Sequence, residues 1–319
     1  MNQLRPFYEY EFVVTPTICV PNFCSKNLYV KLEQKNLNGN IKSRTAYYLI
    51  RETLKKKTAD NLVESSSGNL GLSLGYFSQK IGIHFLCLVD PTVPKRKIKE
   101  LQKLQIDYKM IDLVGFSDYR SARIHYAKFM DSKEGWAWTN QYENEANVLA
   151  HYETTGPELY SQLNGHIDFI VAAVGSGGTL VGCAKYLKEK NPLLKVVAVE
   201  PIGSTIFGGV ISDYLTVGSG LNGPSKIVRK HWKLFDYYSQ VSDSSAVKAC
   251  NEFKIRENIS VGISTGSVLC VAKELSKLYP NKNIVCISAD GGENYIDIVK
   301  NININDATIP IIKPVGQNF

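Results

Sequence analysis

Short β-rich apolar runs alternate with amphipathic helical stretches along nearly the whole 319-residue chain, and this alternation limits its folds more than any other feature. The β-rich runs are "LYVKLE" (28–33), "NLVES" (61–65), "HFLCLVD" (84–90), "DYKMID" (107–112), "WAWTN" (136–140), "DFIVAAV" (168–174), "KVVAVEP" (195–201) and "NIVCISA" (283–289). Between them stand helical patterns such as "GLSLGYFSQKIG", "KIKELQKL", "DYRSARIHYAKFM", "TLVGCAKYLKEK", "SAVKACNEFKIREN" and "STGSVLCVAKELSKLY". A βαβα order predicts an α/β fold with mainly parallel sheets. At 44% hydrophobic residues the chain can bury one large or two medium cores. The last stretch, "NININDATIPIIKPVGQNF", is apolar but irregular and is expected to drape over the body or stay partly loose.

Other classes are disfavoured. No window approaches ~18 uninterrupted apolar residues, so no membrane span is expected. The start, "MNQLRPFYEYEF", lacks the basic-then-apolar layout of a secretory signal. The seven cysteines are scattered, and Cys19 and Cys24 have no His or Cys cluster to complete a zinc site. They read as reduced core residues of a cytoplasmic protein, and no metal is expected. The net charge of +7 is spread over runs such as Lys55-Lys56-Lys57 and Lys95-Arg96-Lys97. Such runs are solvated helix faces that attract small anions rather than a nucleic-acid surface.

In α/β folds ligands gather where strands run into helix starts, and four loops of this chain are built for that. "NLNGNIKSRTAYYLI" (36–50) sets Lys42 at the head of a helix, where backbone N–H groups already carry positive partial charge. That placement disfavours an ammonium and favours a neutral amine or an imine. "ESSSGNLG" (64–71) offers the hydroxyls of Ser65, Ser66 and Ser67 and the amide of Asn69 at a helix start. The set suits a carboxylate; ordinary N-capping would need only one serine. "VGSGGTLVG" (174–182) adds Ser176 and Thr179 to a glycine-rich turn that suits a phosphate, close helix–strand packing being the plain alternative. It lacks the endings of a P-loop and of a dinucleotide fingerprint. "VGISTGSVLC" (261–270) opens a helix with Ser264 and Ser267, which N-capping alone would explain. A phosphate, a carboxylate and a carbonyl-reactive lysine together describe pyridoxal phosphate carrying an amino acid.

These loops resemble, in order, the signature of the fold-type II pyridoxal-phosphate enzymes, the cysteine synthase and cystathionine β-synthase family. The family's Asn-Pro-x-Gly-Ser-x-Lys-Asp-Arg stands here as Asn36-Leu37-Asn38-Gly39-Asn40-Ile41-Lys42-Ser43-Arg44. Its Thr-Ser-Gly-Asn-Thr-Gly resembles Ser66-Ser67-Gly68-Asn69-Leu70-Gly71. Its Gly-Thr-Gly-Gly-Thr resembles Gly175-Ser176-Gly177-Gly178-Thr179, and its Gly-Ile-Ser-Ser-Gly resembles Gly262-Ile263-Ser264-Thr265-Gly266. "TTGPEL" (154–159) and "NQY" (140–142) are also similar. Several stretches, among them "ESSSGNLGLSL", "CLVDPTV", "NQYENEAN", "HYETTG" and "GSTIFGG", look like the siderophore-pathway branch. That branch joins O-phosphoserine and glutamate into N-(2-amino-2-carboxyethyl)-L-glutamate, on the way to 2,3-diaminopropionate. Tyr152 matches that branch, whereas Gly175 matches cysteine synthase. Departures are Ser43 for the aspartate after the lysine, Asn40 for a serine, and "VGSGLNGPSK" (217–226) for a Gly-Ile-Gly-Ala-Gly loop.

The resemblance implies a tryptophan synthase β-like fold of two α/β domains with the cofactor, pyridoxal 5'-phosphate, between them. Residues 1–42 and 150–319 would form the large domain and 43–149 a smaller mobile one. Lys42 would form the imine with the cofactor and serve as the general base. Asn69 would bond its ring hydroxyl, Gly175, Ser176, Gly177, Gly178 and Thr179 its phosphate, and Ser264 its pyridine nitrogen. Ser66, Ser67, Gly68, Asn69, Gln141, Tyr152 and Gly218 would bind substrate. For a phosphate leaving group, Arg44, Lys226, Arg229 and Lys230 are candidate cations. The implied activity is β-replacement on O-phospho-L-serine or O-acetyl-L-serine through an α-aminoacrylate, with an amino nucleophile such as L-glutamate. Cysteine synthase using sulfide is the alternative, and a β-eliminating lyase or dehydratase comes from another class. The partners implied are small amino acids and a second copy of the chain, a homodimer, with no nucleic acid and no membrane.

Overall fold

All eight β-rich runs are strands, and they sort into two sheets. The computed structural model of the chain describes residues 10, 12–66, 68–116, 118–300 and 302–316. They divide into a smaller unit of Met1–Phe12 and Lys42–Asn147 and a larger one of Val13–Ile41 and Val148–Phe319. Lys42, expected with the larger domain, thus opens the smaller unit, and Tyr10 and Phe12 pack there against Tyr47 and Phe77.

The smaller unit holds four parallel strands in the order β5 (Asp107–Met110), β4 (His84–Val89), β3 (Asn61–Ser65), β6 (Trp136–Trp138). Helices α1 (Lys42–Lys56), α2 (Asn69–Lys80), α3 (Lys95–Lys103) and α4 (Tyr119–Asp131) belong to this unit. Helix α2 lies so close to its neighbours that a Cβ on Gly75 would meet Ile106 Cδ1 at 2.3 Å. The chain passes into the larger unit within α5 (Ala146–Ala150), which runs on as a π-helical turn, His151–Thr155, and α6 (Gly156–Gln162).

The larger unit is built on a seven-stranded sheet. Its order is β1 (Thr17–Cys19), β2 (Leu28–Leu32), β10 (Ile284–Ser288), β7 (Phe169–Ala173), β8 (Lys195–Pro201), β9 (Tyr237–Val241), β11 (Ile312–Pro314). The five inner strands are parallel, and β1 and β11 pair antiparallel at the two edges. Strands β7, β8 and β10 are buried almost throughout, as parallel strands covered on both faces are. Their side chains alternate between two cores. Val171, Val197, Val199 and Cys286 join one, which includes residues of α9 (Asp243–Glu257) and α10 (Ile263–Leu278). Ile170, Ala172, Val196, Ala198 and Val285 join the other, with α7 (Gly178–Lys190) and the short α8 (Lys226–Lys230). Each such valine or isoleucine contributes roughly 1.5–3 kcal/mol by leaving water. Within the C-terminal stretch, residues 312–314 form β11 on β9.

Candidate active site

In the smaller unit the predicted residues Ser66, Gly68, Asn69 and Gln141 lie where β3 and β6 end and α2 begins, and Lys42 opens α1. The chain reaches Lys42 through a tight reversal: Asn36 Oδ1 accepts from the Leu37 N–H at 2.7 Å, and Asn38 and Gly39 turn in left-handed conformations (φ 58° and 66°). Ile41 N–H then donates to the Ala289 carbonyl at 2.9 Å, and half-buried Lys42 is the first residue of α1.

At the head of α2, Ser66 Oγ accepts from the Gly71 N–H at 3.0 Å and lies 3.5 Å from the Gly68 nitrogen. Ser66 therefore caps the helix, and its own O–H can still be given to a ligand. Ser67 lies outside the described residues. A Cβ on Gly68 would meet nothing within 4 Å, so the turn opens onto free space there. The buried Ser65 Oγ has no hydrogen-bond partner among the described residues. Asn69 Oδ1 accepts from Lys97 Nζ at 3.0 Å. A lysine cannot accept, so the amide is oriented with its oxygen toward Lys97. Gln141 is buried, and its Nε2 donates to the Ser65 carbonyl at 3.0 Å. The structure thus brings Ser66, Gly68, Asn69 and Gln141 around one strand end.

In the larger unit β7 runs into the glycine turn. Val181 N–H bonds the Gly177 carbonyl at 3.0 Å, so the N–H groups of residues 178–180 precede the first turn's bonds and point out of the helix end. That end of a 13-residue helix suits an anion. Gly177 takes φ 92°, and a Cβ there would meet Val228 Cγ2 at 2.5 Å, so only glycine fits. Gly218 lies alongside: a Cβ on Gly175 would be 3.3 Å from its carbonyl oxygen, and Gly220 N–H donates to the Val174 carbonyl at 2.8 Å. Ser225 Oγ donates to the Ser176 carbonyl at 2.6 Å. Next to Gly218, buried Ser219 carries an Oγ with no hydrogen-bond partner among the described residues. Ser264 is buried in the first turn of α10.

Three residues were not singled out from the sequence. Lys97 orients Asn69. His151 is fully buried, with Nε2 3.2 Å from Thr179 Oγ1 and Nδ1 2.9 Å from Thr155 Oγ1. The π-helical turn that presents His151 is a rare device found often at functional sites, and "HYETTG" was the available signal. Glu64 is the third. It has no exposed surface, and burial pushes its carboxyl up to about 6 against the pull of its hydrogen bonds.

Tyr152 stands on the π-helical turn. Its hydroxyl donates to Glu189 at 2.9 Å and its ring packs against Tyr186. Glu189 sits ten residues after Thr179 on α7, roughly 15 Å along the axis. Of the candidate cations, Arg44 is buried with its guanidinium over the Phe12 ring, and Arg229 Nε lies 3.4 Å from the Pro224 carbonyl.

The residues present fit pyridoxal phosphate. In the larger unit the glycine-rich helix end, with the orphan Ser219 hydroxyl beside it, suits the phosphate, and in the smaller unit Lys42 supplies an amine at a helix head. Among the described residues no group of three or more His, Cys, Asp or Glu could hold a metal, and no helix is long and apolar enough to cross a membrane. The family model described as "Pyridoxal-phosphate dependent enzyme" matches residues 9–290. The O-acetylserine dependent cystathionine β-synthase of Bacillus subtilis (strain 168) is 33% identical over 291 residues, 88% of this chain and 93% of that protein. The crystal structure of O-ureido-L-serine synthase shares the fold at a TM-score of 0.83, with 24% identity over 91% of this chain and 93% of that one. O-acetyl serine sulfhydrylase isoform 3 from Entamoeba histolytica aligns at a TM-score of 0.81, with 26% identity over 92% and 90% of the two chains.

Proposed function

This chain belongs to the pyridoxal-phosphate dependent enzymes, in the fold-type II cysteine synthase and cystathionine β-synthase family, and from that premise we propose that it replaces the β-substituent of an activated L-serine. Pyridoxal 5'-phosphate is its cofactor. The observation that carries the reading is that Lys42, the Ser66–Asn69 turn and the Gly175–Thr179 turn each stand at a helix head, with the chemistry that one amino-acid-bearing cofactor needs. When bound, the cofactor supplies an electron sink for the substrate's Cα.

The chain's own residues do the rest. Lys42 Nζ takes the Cα proton and returns it once the new bond is made. The Gly175–Thr179 turn holds the cofactor's phosphate, Asn69 Nδ2 donates to its ring oxygen, and Ser264 Oγ bonds its ring nitrogen. A serine there does not enforce a charged ring as an aspartate would, which suits elimination of a β-substituent over transamination. Ser66, Ser67, Gly68, Asn69 and Gln141 hold the substrate carboxylate, and Gly218 borders its side chain.

The donor is O-acetyl-L-serine or O-phospho-L-serine. The acceptor we favour is an amine such as that of L-glutamate, a reading supported by the siderophore-branch resemblance of several stretches. Gly175 and the likeness to a sulfhydrylase support sulfide as the second reading. The reading extends to a cytoplasmic homodimer, the usual form in the family. The purified protein should show a visible cofactor band that changes on adding one serine ester and returns on adding the right acceptor. Mass analysis of the product then separates glutamate from sulfide. A band indifferent to both esters would end the proposal, and pyruvate release without an acceptor would make the enzyme a lyase.

A further inference from the structure

Two arms of the proposed carboxylate cradle leave the smaller sheet at neighbouring points. One follows β3 through Ser65 to Ser66, and the other follows β6 through Thr139 to Gln141. The ladder between β3 and β6 ends at Val63↔Trp138, with a last bond from Thr139 N–H to the Val63 carbonyl at 3.2 Å. Beyond that point Glu64 ties the arms together. Its Oε1 accepts from Ser65 N–H at 2.8 Å and Trp138 Nε1 at 3.2 Å, and its Oε2 from Thr139 Oγ1 at 2.6 Å and Gln141 N–H at 3.1 Å. Gln141 Nε2 crosses back to the Ser65 carbonyl at 3.0 Å. We propose that Glu64 is a positioning residue for the substrate carboxylate: ionised, it sets the spacing between the serine arm and the glutamine arm. This rests on the reading that these arms hold that carboxylate.

Four donors converge on Glu64, so only an acceptor-only group satisfies them. A carboxyl protonated on Oε1 would aim its O–H at the Ser65 or Trp138 N–H and release one of them; protonated on Oε2, it would reverse the Thr139 bond and weaken its hold on the Gln141 N–H. The neighbours do not replace it. Cys87, opposite Glu64 on β4, is kept protonated by burial, its thiol pushed up to about 12. The other charged and phenolic groups nearby are engaged elsewhere: Arg123 Nη1 lies 2.5 Å from Asp90, and the Arg120 guanidinium lies over the Tyr142 ring. The cradle should therefore hold its shape above about pH 6 and loosen below it.

The experiment measures KM and kcat of the holoenzyme for O-acetyl-L-serine and O-phospho-L-serine, from about pH 5.5 to about pH 8, in wild type, Glu64→Gln and Thr139→Val. Wild-type KM for the active ester should rise about tenfold per pH unit below the limb at about 6, with kcat changing far less. Glu64→Gln should raise KM about tenfold or more at neutral pH and abolish the limb. Thr139→Val removes one donor to the ionised form and should move the limb to higher pH, a response that a merely structural residue does not give. An unmoved limb in Thr139→Val, or wild-type KM and limb in Glu64→Gln, overturns the role of Glu64. If Glu64→Gln fails to fold, Thr139→Val decides alone. Wild type indifferent to both esters at every pH overturns the underlying reading instead.

Discussion

His151 Nε2 lies 3.2 Å from Thr179 Oγ1, and the same ring reaches Thr155 Oγ1 with Nδ1 at 2.9 Å. A fully buried imidazole held between two hydroxyls cannot turn without breaking both bonds, so it fixes the Thr179 side chain in the first turn of α7. Thr179→Val keeps the volume and removes the hydroxyl. Its Kd for pyridoxal phosphate, followed by fluorescence titration of the apoprotein, should rise about tenfold. An unchanged Kd would free Thr179 of that role.

Lys42→Ala should abolish the visible imine band and lower β-replacement by several orders of magnitude, since the variant loses both nucleophile and base. Cofactor should still bind noncovalently through the glycine turn, and equilibrium dialysis would show it. A persisting imine band would move the covalent role to another lysine.

Gly177 and Gly68 should part company when each is changed to alanine. At Gly177 the added carbon meets Val228 Cγ2 at 2.5 Å in a left-handed backbone, so stability should fall by about 1–3 kcal/mol and the cofactor should be lost. At Gly68 it meets nothing within 4 Å, so the thermal midpoint should hold while KM for the serine ester rises. Melting curves beside KM measurements test the pair, and a similar loss of stability in both would contradict the contrast.

Glu64 should affect stability and substrate binding in opposite directions. Its carboxyl is raised from 4.5 to about 6 in the folded protein, so the folded state binds the proton more readily than the unfolded one. The stabilisation from that proton is complete below about 4.5 and disappears as pH rises through about 6, an effect of about 2 kcal/mol. Denaturant titrations should show this slope in wild type and lack it in Glu64→Gln, while substrate KM worsens over the same interval on acidification. Parallel slopes in the two proteins would show that Glu64 titrates at its ordinary value.

Much of this was legible because the signals are local. A turn and a helix start follow one another within a few residues, so the helix starts at Lys42, Asn69, Gly178 and Ile263 could be read directly. The strands that escaped carry weak signals. β1 is three residues long, β9 reads "YYSQV" with its polar residues half inside, and β11 contains Pro314, tolerated because it pairs on one side at a sheet edge. The roles of Glu64 and His151 were unreadable for another reason. Glu64 is defined by Thr139 and Gln141, more than seventy residues later, and His151 by Thr179, 28 residues on.

The two antiparallel edge strands have a consequence for how the protein behaves in crowded solution. A parallel sheet with bare edges invites other chains to add strands and grow into aggregates. Here β1 and β11 close the edges with three residues each, and the Pro314 ring has no N–H to extend the ladder. Removing 312–314 would uncover β9 from Tyr237 to Ser239, a row of backbone donors and acceptors flanked by aromatic rings. Strand β11 thus covers an adhesive edge, and a variant whose 312–314 segment cannot pair with β9 should precipitate more readily than the unaltered protein.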